Sequence, residues 1–366
     1  MRNHILLAMS LSATSGCQQL ECAEGTIERD GRCEPASTTG DPSMCGPFTM
    51  LVGDRCVPVL PPTQCDPATS EATYDPDTGI YTCIGTGGGG CDAPLACAAP
   101  SGATKQTICG QIYDFESNTK YSAAGATGAR CGATPTATGP CSLNIVAYDA
   151  VAFGMNPSSA TPLNVGITYL DDCGRFRLSD VEVPANPFVG VGFDDAGMPM
   201  GTSGNTVTAA VATPKLPGGV TQNLEGFIVA PATPAKWTAA GGPPLSSGIY
   251  APLYRAHKLG NGDPLAPQAG VTAIIGTSQP VNDWYFLAAE TTRSTIDPNA
   301  TVTGANGSAL VNGVSLSNGN TFNGIGGLGA GCQWEPHTPA ALSAFGGIVF
   351  IQVYRKINLA GQTCND

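Results

Sequence analysis

The chain has 366 residues, of which 48 are Gly and 30 are Pro, so about a fifth of its positions disfavour helices and central strands. Long helical bundles and coiled coils are therefore excluded. Charged residues make up only 12% of the chain and the formal net charge is −12, which argues against a nucleic-acid partner because phosphate neutralisation needs a basic surface.

The first 16 residues have the layout of a secretory signal peptide. Arg2 supplies a positive charge, residues 5–13 form a short apolar run, and the small residues Ser15 and Gly16 precede Cys17. This ending resembles the lipobox of bacterial lipoproteins. The resemblance implies that Cys17 is acylated, becomes the first residue of the mature protein and holds it on a lipid bilayer. The alternative is an ordinary signal peptide cleaved near Gly16, with Cys17 in a disulfide.

The cysteine count also indicates export. There are 15 cysteines and only three histidines, none of them beside a cysteine pair, so structural zinc is a poor explanation. Disulfides in an oxidising compartment explain the count better. If Cys17 is acylated, fourteen cysteines remain as disulfide candidates: Cys22, Cys33, Cys45, Cys56, Cys65, Cys83, Cys91, Cys97, Cys109, Cys131, Cys141, Cys173, Cys332 and Cys364.

Residues 17–107 are predicted to be a disulfide-stapled stalk followed by a Gly-rich linker. This stretch is rich in cysteine and shows almost no apolar periodicity, so it cannot build a core by burial alone. Residues 22–35 and 45–58 repeat one pattern, with ten residues between two cysteines and an Arg-Cys-x-Pro ending, and residues 65–83 are a longer variant. We expect each to form a hairpin closed by its own disulfide.

From Ile108 onward, short apolar-alternating runs separated by turns predict strands. In chain order they are residues 108–115, 143–149, 165–170, 175–181 and 188–193. Apolar side chains fall at every second position of residues 175–178. This alternation predicts that one sheet face is buried and that the other carries Arg175 and Arg177 into water.

Two motifs in this region resemble a known sandwich family. Residues 110–114 read Gly-Gln-Ile-Tyr-Asp, and residues 171–178 read Asp-Asp-Cys-Gly-Arg-Phe-Arg-Leu. Together they resemble the carboxypeptidase regulatory-like group of transthyretin-like domains, over residues 108–195. The resemblance implies a seven-stranded Greek-key β-sandwich, which we place at residues 108–220. The fold itself names no activity.

A second, divergent sandwich of the same kind is predicted over residues 221–366. After a Pro-, Thr- and Gly-rich passage at 230–247, strands are expected at 249–255, 270–275, 284–288 and 347–354. Cys332 and Cys364 bracket the last strand and are predicted to pair. The predicted fold class is therefore all-β, with tandem transthyretin-like sandwiches after a small disulfide-rich segment.

No catalytic residue, metal or cofactor is predicted. The chain has no G-x-S-x-G motif, and only His257 and His337 remain after the signal peptide. The acidic pairs, such as Asp171-Asp172, are read as turn caps rather than as calcium ligands.

One alternative is a metal-dependent enzyme on the second sandwich. The sandwich family includes intradiol dioxygenases, in which two tyrosines and two histidines hold iron, although their His-x-His pair is absent here. Candidate ligands are His257, His337, Tyr250, Tyr254, Tyr285 and Tyr354. Aromatic residues at strand spacing are more often core residues.

These observations predict an exported, lipid-anchored bacterial cell-envelope protein. Gln18 stands where an Asp retains some lipoproteins at the inner membrane, so the outer membrane is favoured. We expect a non-catalytic structural, adhesion or binding role, with a polysaccharide or protein as ligand. Besides the metal-dependent enzyme, protease inhibition by the Cys-rich hairpins remains an alternative.

Overall fold

A computed structural model of the chain describes residues 90–92, 95–132, 136–164, 168–195, 206–255, 266–280, 282–312, 321–337 and 346–364, and six short strands between residues 26 and 85. Strands dominate these residues, as the sequence predicted. None of the helices in these ranges has the length and apolar character needed to cross a membrane. The predicted signal peptide and Cys17 lie outside the described residues.

Three hairpins occupy the Cys-rich region. Their strands are β1 (Thr26–Arg29) with β2 (Arg32–Pro35), β3 (Thr49–Val52) with β4 (Arg55–Pro58), and β5 (Ser70–Asp75) with β6 (Ile80–Gly85). The first two pairs are separated by the dipeptides Asp-Gly and Gly-Asp, which favour tight hairpin turns. The predicted hairpins are therefore present. The side chains that would form their disulfides lie outside the described residues.

The chain divides into two compact units. One comprises Met1–Gln64 and Ala72–Thr82, and the other comprises Cys65–Glu71 and Cys83–Asp366. Everything described below belongs to the second unit.

Seven strands of the second unit form two facing layers. They are β7 (Lys105–Asp114), β8 (Asn144–Asp149), β9 (Thr168–Leu170), β10 (Arg175–Glu182), β11 (Phe188–Asp194), β12 (Thr208–Pro214) and β13 (Val220–Ile228). The first sheet has the order β13-β7-β10-β9, and β12, β11 and β8 are neighbours in the second. Phe176 and Phe193 meet edge to face between the layers, with 5.5 Å between ring centroids.

The second sheet continues into the C-terminal part of the chain. The remaining strands are β14 (Ile249–Arg255), β15 (Val271–Ile275), β16 (Asp283–Phe286), β17 (Ile296–Asp297), β18 (Ala309–Val311), β19 (Phe322–Gly326), β20 (Cys332–Trp334) and β21 (Ile348–Asn358). The order along this sheet is β17-β16-β18-β14-β21-β12-β11-β8, and β20 also pairs with β21. Helix α1 (Ala150–Met155) follows β8, and helix α2 (Ala232–Ala239) follows β13.

The large sheet is covered on both faces, which explains why β14 is buried along its whole length. Ile249, Ala251 and Leu253 belong to the core cluster shared with the first sheet. Tyr250 and Tyr254 point the other way, into a second cluster that includes residues of the β15–β19 hairpin. Strands buried on both sides carry apolar residues at nearly every position.

The sheet crosses the boundary expected between residues 220 and 221. Thr208–Val211 of β12 pair in parallel with Ile348–Ile351 of β21, so strands from both expected sandwiches share one sheet. An open edge at β12 would leave a row of unpaired backbone groups, and β21 satisfies them. The Pro-, Thr- and Gly-rich passage at 230–247 contains helix α2 and the fully buried Trp237.

Candidate functional site

The turn between β9 and β10, the most specific motif of the sequence, is held by a buried ion pair. The Asp171 Oδ2 atom lies 2.7 Å from Arg175 Nε, and both side chains are almost fully buried. The Oδ1 atom of Asp171 accepts hydrogen bonds from the backbone nitrogens of Cys173 and Arg175, at 3.1 and 2.9 Å. Burial raises the pKa of the Asp171 carboxyl, and the hydrogen bonds from Arg175 oppose that rise.

The neighbouring carboxylate also has a structural role. Asp172 accepts hydrogen bonds from the backbone nitrogens of Thr127 and Gly128, at 2.9 and 2.7 Å. Potential ligand atoms of Cys91, Asp172 and Cys173 lie within 4.8 Å of one another, but Cys91 and Cys173 form a disulfide. This group therefore offers no thiolate to a metal ion, and the acidic pair caps turns.

Residues 90–92 and 95–101, here called the strap, bind to the outer face of the first sheet. Two disulfides, Cys91–Cys173 and Cys97–Cys109, attach it. Nη1 of Arg175 donates to the carbonyl oxygen of Gly90 at 3.0 Å. The sequence placed this stretch in the stapled stalk and Gly-rich linker of residues 17–107, and the structure shows that its two cysteines bond to β7 and to the turn before β10.

The strap overturns one prediction about this face. Arg177 Nη1 donates to the carbonyl oxygen of Ala96 at 3.1 Å. Arg175 and Arg177 are each only 3% exposed, so the prediction that they point into water was wrong. Strand alternation showed that these side chains point away from the core face of the sheet, but it could not show that another segment covers them. The guanidinium groups of Arg177 and Arg130 also lie over the ring of Tyr169, at 5.4 and 5.3 Å.

Two more disulfides are present in the described residues, Cys131–Cys141 and Cys332–Cys364. The second is the pair expected around the last strand. Eight of the fourteen candidate cysteines are thus in disulfides, and the sulfur atoms of Cys22, Cys33, Cys45, Cys56, Cys65 and Cys83 lie outside the described residues.

Several of the candidate metal ligands converge in the second core cluster. The hydroxyl groups of Tyr250 and Tyr354 are hydrogen-bonded to each other. Tyr254 stacks on Tyr354 with 5.2 Å between centroids, and the ring of His337 meets Tyr354 edge-on at 4.9 Å. The hydroxyl of Tyr285 donates to Asp283 Oδ2 at 2.8 Å instead. His257 lies outside the described residues.

The electrostatics of this cluster favour neutral side chains. Burial raises the pKa of Tyr250 and of Tyr354 far above the ordinary tyrosine value, so both phenols keep their protons. A metal ion bound by a phenolate would have to supply the opposite shift through its own charge. Burial also lowers the pKa of His337, against the charge of Glu335. Its Nε2 atom lies 4.0 Å from Glu335 Oε2 and has no hydrogen-bond partner in the part of the chain described.

A buried cluster of charged residues was missed by the sequence analysis. Arg255 and Arg293 are both 0% exposed. Arg255 Nη2 lies 2.9 Å from Glu225 Oε2 and 2.8 Å from Asn118 Oδ1, and Arg293 Nη2 lies 3.2 Å from the same asparagine oxygen. The sequence carries little sign of this cluster, because its members lie far apart in the chain. An arginine that ends a wholly apolar strand, as Arg255 does, is the one available signal.

Comparisons with known proteins place no family name on the chain. No protein-family model matches it, and no curated protein sequence matches it significantly. A comparison with solved structures finds the Bacillus anthracis TIE protein, at 10% sequence identity and a TM-score of 0.17. The match covers 69% of this chain and 34% of that protein, so the chain spans about a third of its length. A likeness this weak says nothing about the function of this chain.

Proposed function

We propose that this is an exported, lipid-anchored protein of the bacterial cell envelope with a non-catalytic structural, adhesion or binding role. The observation that carries the proposal is the set of four disulfides among the described residues of the second compact unit. Such bonds persist in oxidising compartments and are rare in a reducing cytosol. They join strands, a turn and the strap, so they serve the architecture rather than a reaction.

The anchor proposed is Cys17, acylated and held in the outer membrane. The lipobox-like residues before it and the odd number of cysteines support this assignment. The proposed ligand is a polysaccharide or a protein, bound by the loops of the β layers. For β7–β13 we propose a Greek-key arrangement of the transthyretin-like type, supported by seven strands in two facing sheets.

The anchor is tested by expressing the full-length gene in a Gram-negative host as wild type, as Cys17→Ala and as Gln18→Ala. The wild type and Gln18→Ala should stay in the outer-membrane fraction after a high-salt wash, and Cys17→Ala should be released. Intact mass spectrometry of the membrane-extracted wild type should show acyl groups and no free thiols. A wild type recovered without acyl mass, or with reduced cysteines, contradicts the proposal.

One observation favours a second candidate function, the metal-dependent enzyme. The structure brings His337, Tyr354 and Tyr250 together, and a bound metal ion would have to lower the tyrosine pKa values that burial raises. Metal analysis of the purified wild type and of His337→Gln decides the matter. Stoichiometric iron or zinc in the wild type that His337→Gln loses would support the enzyme. Protease inhibition by the hairpins stays a prediction, to be tested by assaying the full chain against trypsin-like proteases.

A further inference from the structure

The buried Arg255–Arg293 pair lies where the first sheet meets the C-terminal part of the second unit. Arg255 ends β14, and Arg293 lies in the segment between β16 and β17. Their partners come from β13, which carries Glu225, and from the segment after β7, which carries Asn118. The pair is therefore enclosed by several elements of the same unit.

The direct contacts of the two guanidinium groups leave an excess of positive charge. Arg293 is held by neutral groups, which are the hydroxyl oxygen of Ser308, the carbonyl oxygens of Phe115 and Asn306, and the side-chain oxygen of Asn118. Among the described residues, Glu225 is the one carboxylate in these contacts. Two cations and one anion in a buried cluster leave about one uncompensated charge, which is costly in a protein interior.

Other charged groups near the pair are more exposed. The negative charge of Asp114 favours the charged form of Arg293. This carboxylate is partly exposed, however, and it accepts hydrogen bonds from Ser117. Glu116 pairs with Lys236. Arg355, the register partner of Arg255 on β21, is exposed to solvent. Water screens these side chains, so their charges compensate the buried excess weakly.

Arg255 also has unused donors. Its Nε and Nη1 atoms are shielded from solvent and have no hydrogen-bond partner among the described residues. Buried donors are nearly always satisfied by protein, water or a bound ion. A water molecule would accept hydrogen bonds from these donors but would leave the excess positive charge uncompensated. An anion would accept the hydrogen bonds and also neutralise the charge.

We propose that the Arg255–Arg293 pair holds a small monovalent anion of the chloride class, bound at the free Nε and Nη1 donors of Arg255. The anion neutralises the excess charge of the cluster and thereby stabilises the folded unit. Its small size follows from the complete burial of both arginines. This site is independent of the membrane anchor and of any surface ligand.

The test is the melting temperature of the full chain as chloride replaces gluconate at constant ionic strength and pH. The wild type should show a saturable rise in Tm of about 3 °C, because a ligand that binds only the folded state stabilises it. Bromide-soaked crystals should show an anomalous peak in contact with Arg255.

Two isosteric variants change the charge in opposite directions. Asn118→Asp places a carboxylate on the atom that both arginines contact, and should abolish the chloride dependence. The backbone φ of Asn118 is 59°, which aspartate tolerates nearly as well as asparagine. Glu225→Gln removes the compensating carboxylate and should lower the half-saturating chloride concentration about tenfold. Arg130→Gln, which removes an exposed charge elsewhere, should respond as the wild type does.

Three results would overturn the proposal. The first is a wild-type Tm that does not saturate with chloride. The second is an equal chloride response in the wild type and in Asn118→Asp. The third is a set of bromide peaks that leaves Arg255 without one.

Discussion

Asp171 and Arg175 form a buried ion pair inside the turn that joins β9 to β10, with 2.7 Å between Oδ2 and Nε. The same carboxylate accepts two backbone hydrogen bonds within that turn. It therefore fixes the turn and neutralises an arginine that the strap covers. The function of this motif is local and structural.

Replacing Asp171 by Ala should destabilise the protein by about 3–5 kcal/mol, because the Arg175 charge would stay buried without its partner. Urea unfolding at neutral pH measures the change. Asp172→Asn is the matched control. Its carboxylate accepts hydrogen bonds from Thr127 and Gly128, and its loss should cost about 1 kcal/mol. Equal losses in the two variants would contradict the assigned role of Asp171.

The two disulfides of the strap should differ in their contribution to stability. Cys91–Cys173 joins residues 82 positions apart, and Cys97–Cys109 joins residues 12 apart. A longer closed loop restricts the unfolded chain more, so removing the first bond should cost about 4.5 kcal/mol and removing the second about 3 kcal/mol. Urea unfolding of the paired Cys→Ala variants tests this order. A larger loss at Cys97–Cys109 would show that the restriction of the unfolded chain is not the deciding factor.

Gly226 is required by the packing between the two layers. A Cβ atom there would lie 2.5 Å from Cζ of Phe193, in the interior of the core. Gly226→Ala should therefore cost about 1–3 kcal/mol through overpacking. Gly190→Ala is the control, since its Cβ would come no closer than 3.4 Å to any atom, and it should be neutral or slightly stabilising. Thermal unfolding compares the two variants, and a similar loss in both would refute the steric explanation.

Mild acid should weaken the second core cluster through His337. Burial lowers the pKa of this imidazole below 6.5 in the folded protein. The unfolded chain therefore binds the proton more readily, and stability should fall as pH drops from about 6.5 toward the folded-state pKa. The measurement is the free energy of unfolding between pH 7.5 and 5. His337→Gln should flatten this dependence, whereas His257→Gln should leave most of it. An unchanged slope in His337→Gln would rule out His337 as the source.

Much of the strand layout follows from the sequence alone. Residues 175–181 and 188–193 were predicted as strands, and the structure has β10 at Arg175–Glu182 and β11 at Phe188–Asp194. Alternation over five or more residues is a strong local signal because the side-chain period of a strand is two. β18 and β20 were missed, and each has only three residues. β12 and β13 were also missed although they have seven and nine residues, because neither alternates apolar and polar residues regularly.

The candidate site was less predictable. Tyr250, Tyr354 and His337 could be named as candidates from the sequence. Their hydrogen bond, their ring contacts and the direction of their pKa shifts could not be predicted from it. The burial of Arg177 depends on a carbonyl oxygen 81 residues away. The Arg255–Arg293 pair depends on Asn118, which is more than a hundred residues from either arginine.

By itself, the amino-acid sequence determined the β class, the hairpins, most strands of the two layers and the pairing of Cys332 with Cys364. These are local properties, because turn dipeptides, side-chain alternation and cysteine number can be read within short stretches of chain. Only the tertiary structure decided that β12 pairs with β21, that the strap covers two arginines and that Arg255 and Arg293 are both buried beside Glu225. Those features arise because distant segments satisfy each other's backbone groups and charges, and local patterning does not specify which segment supplies the partner.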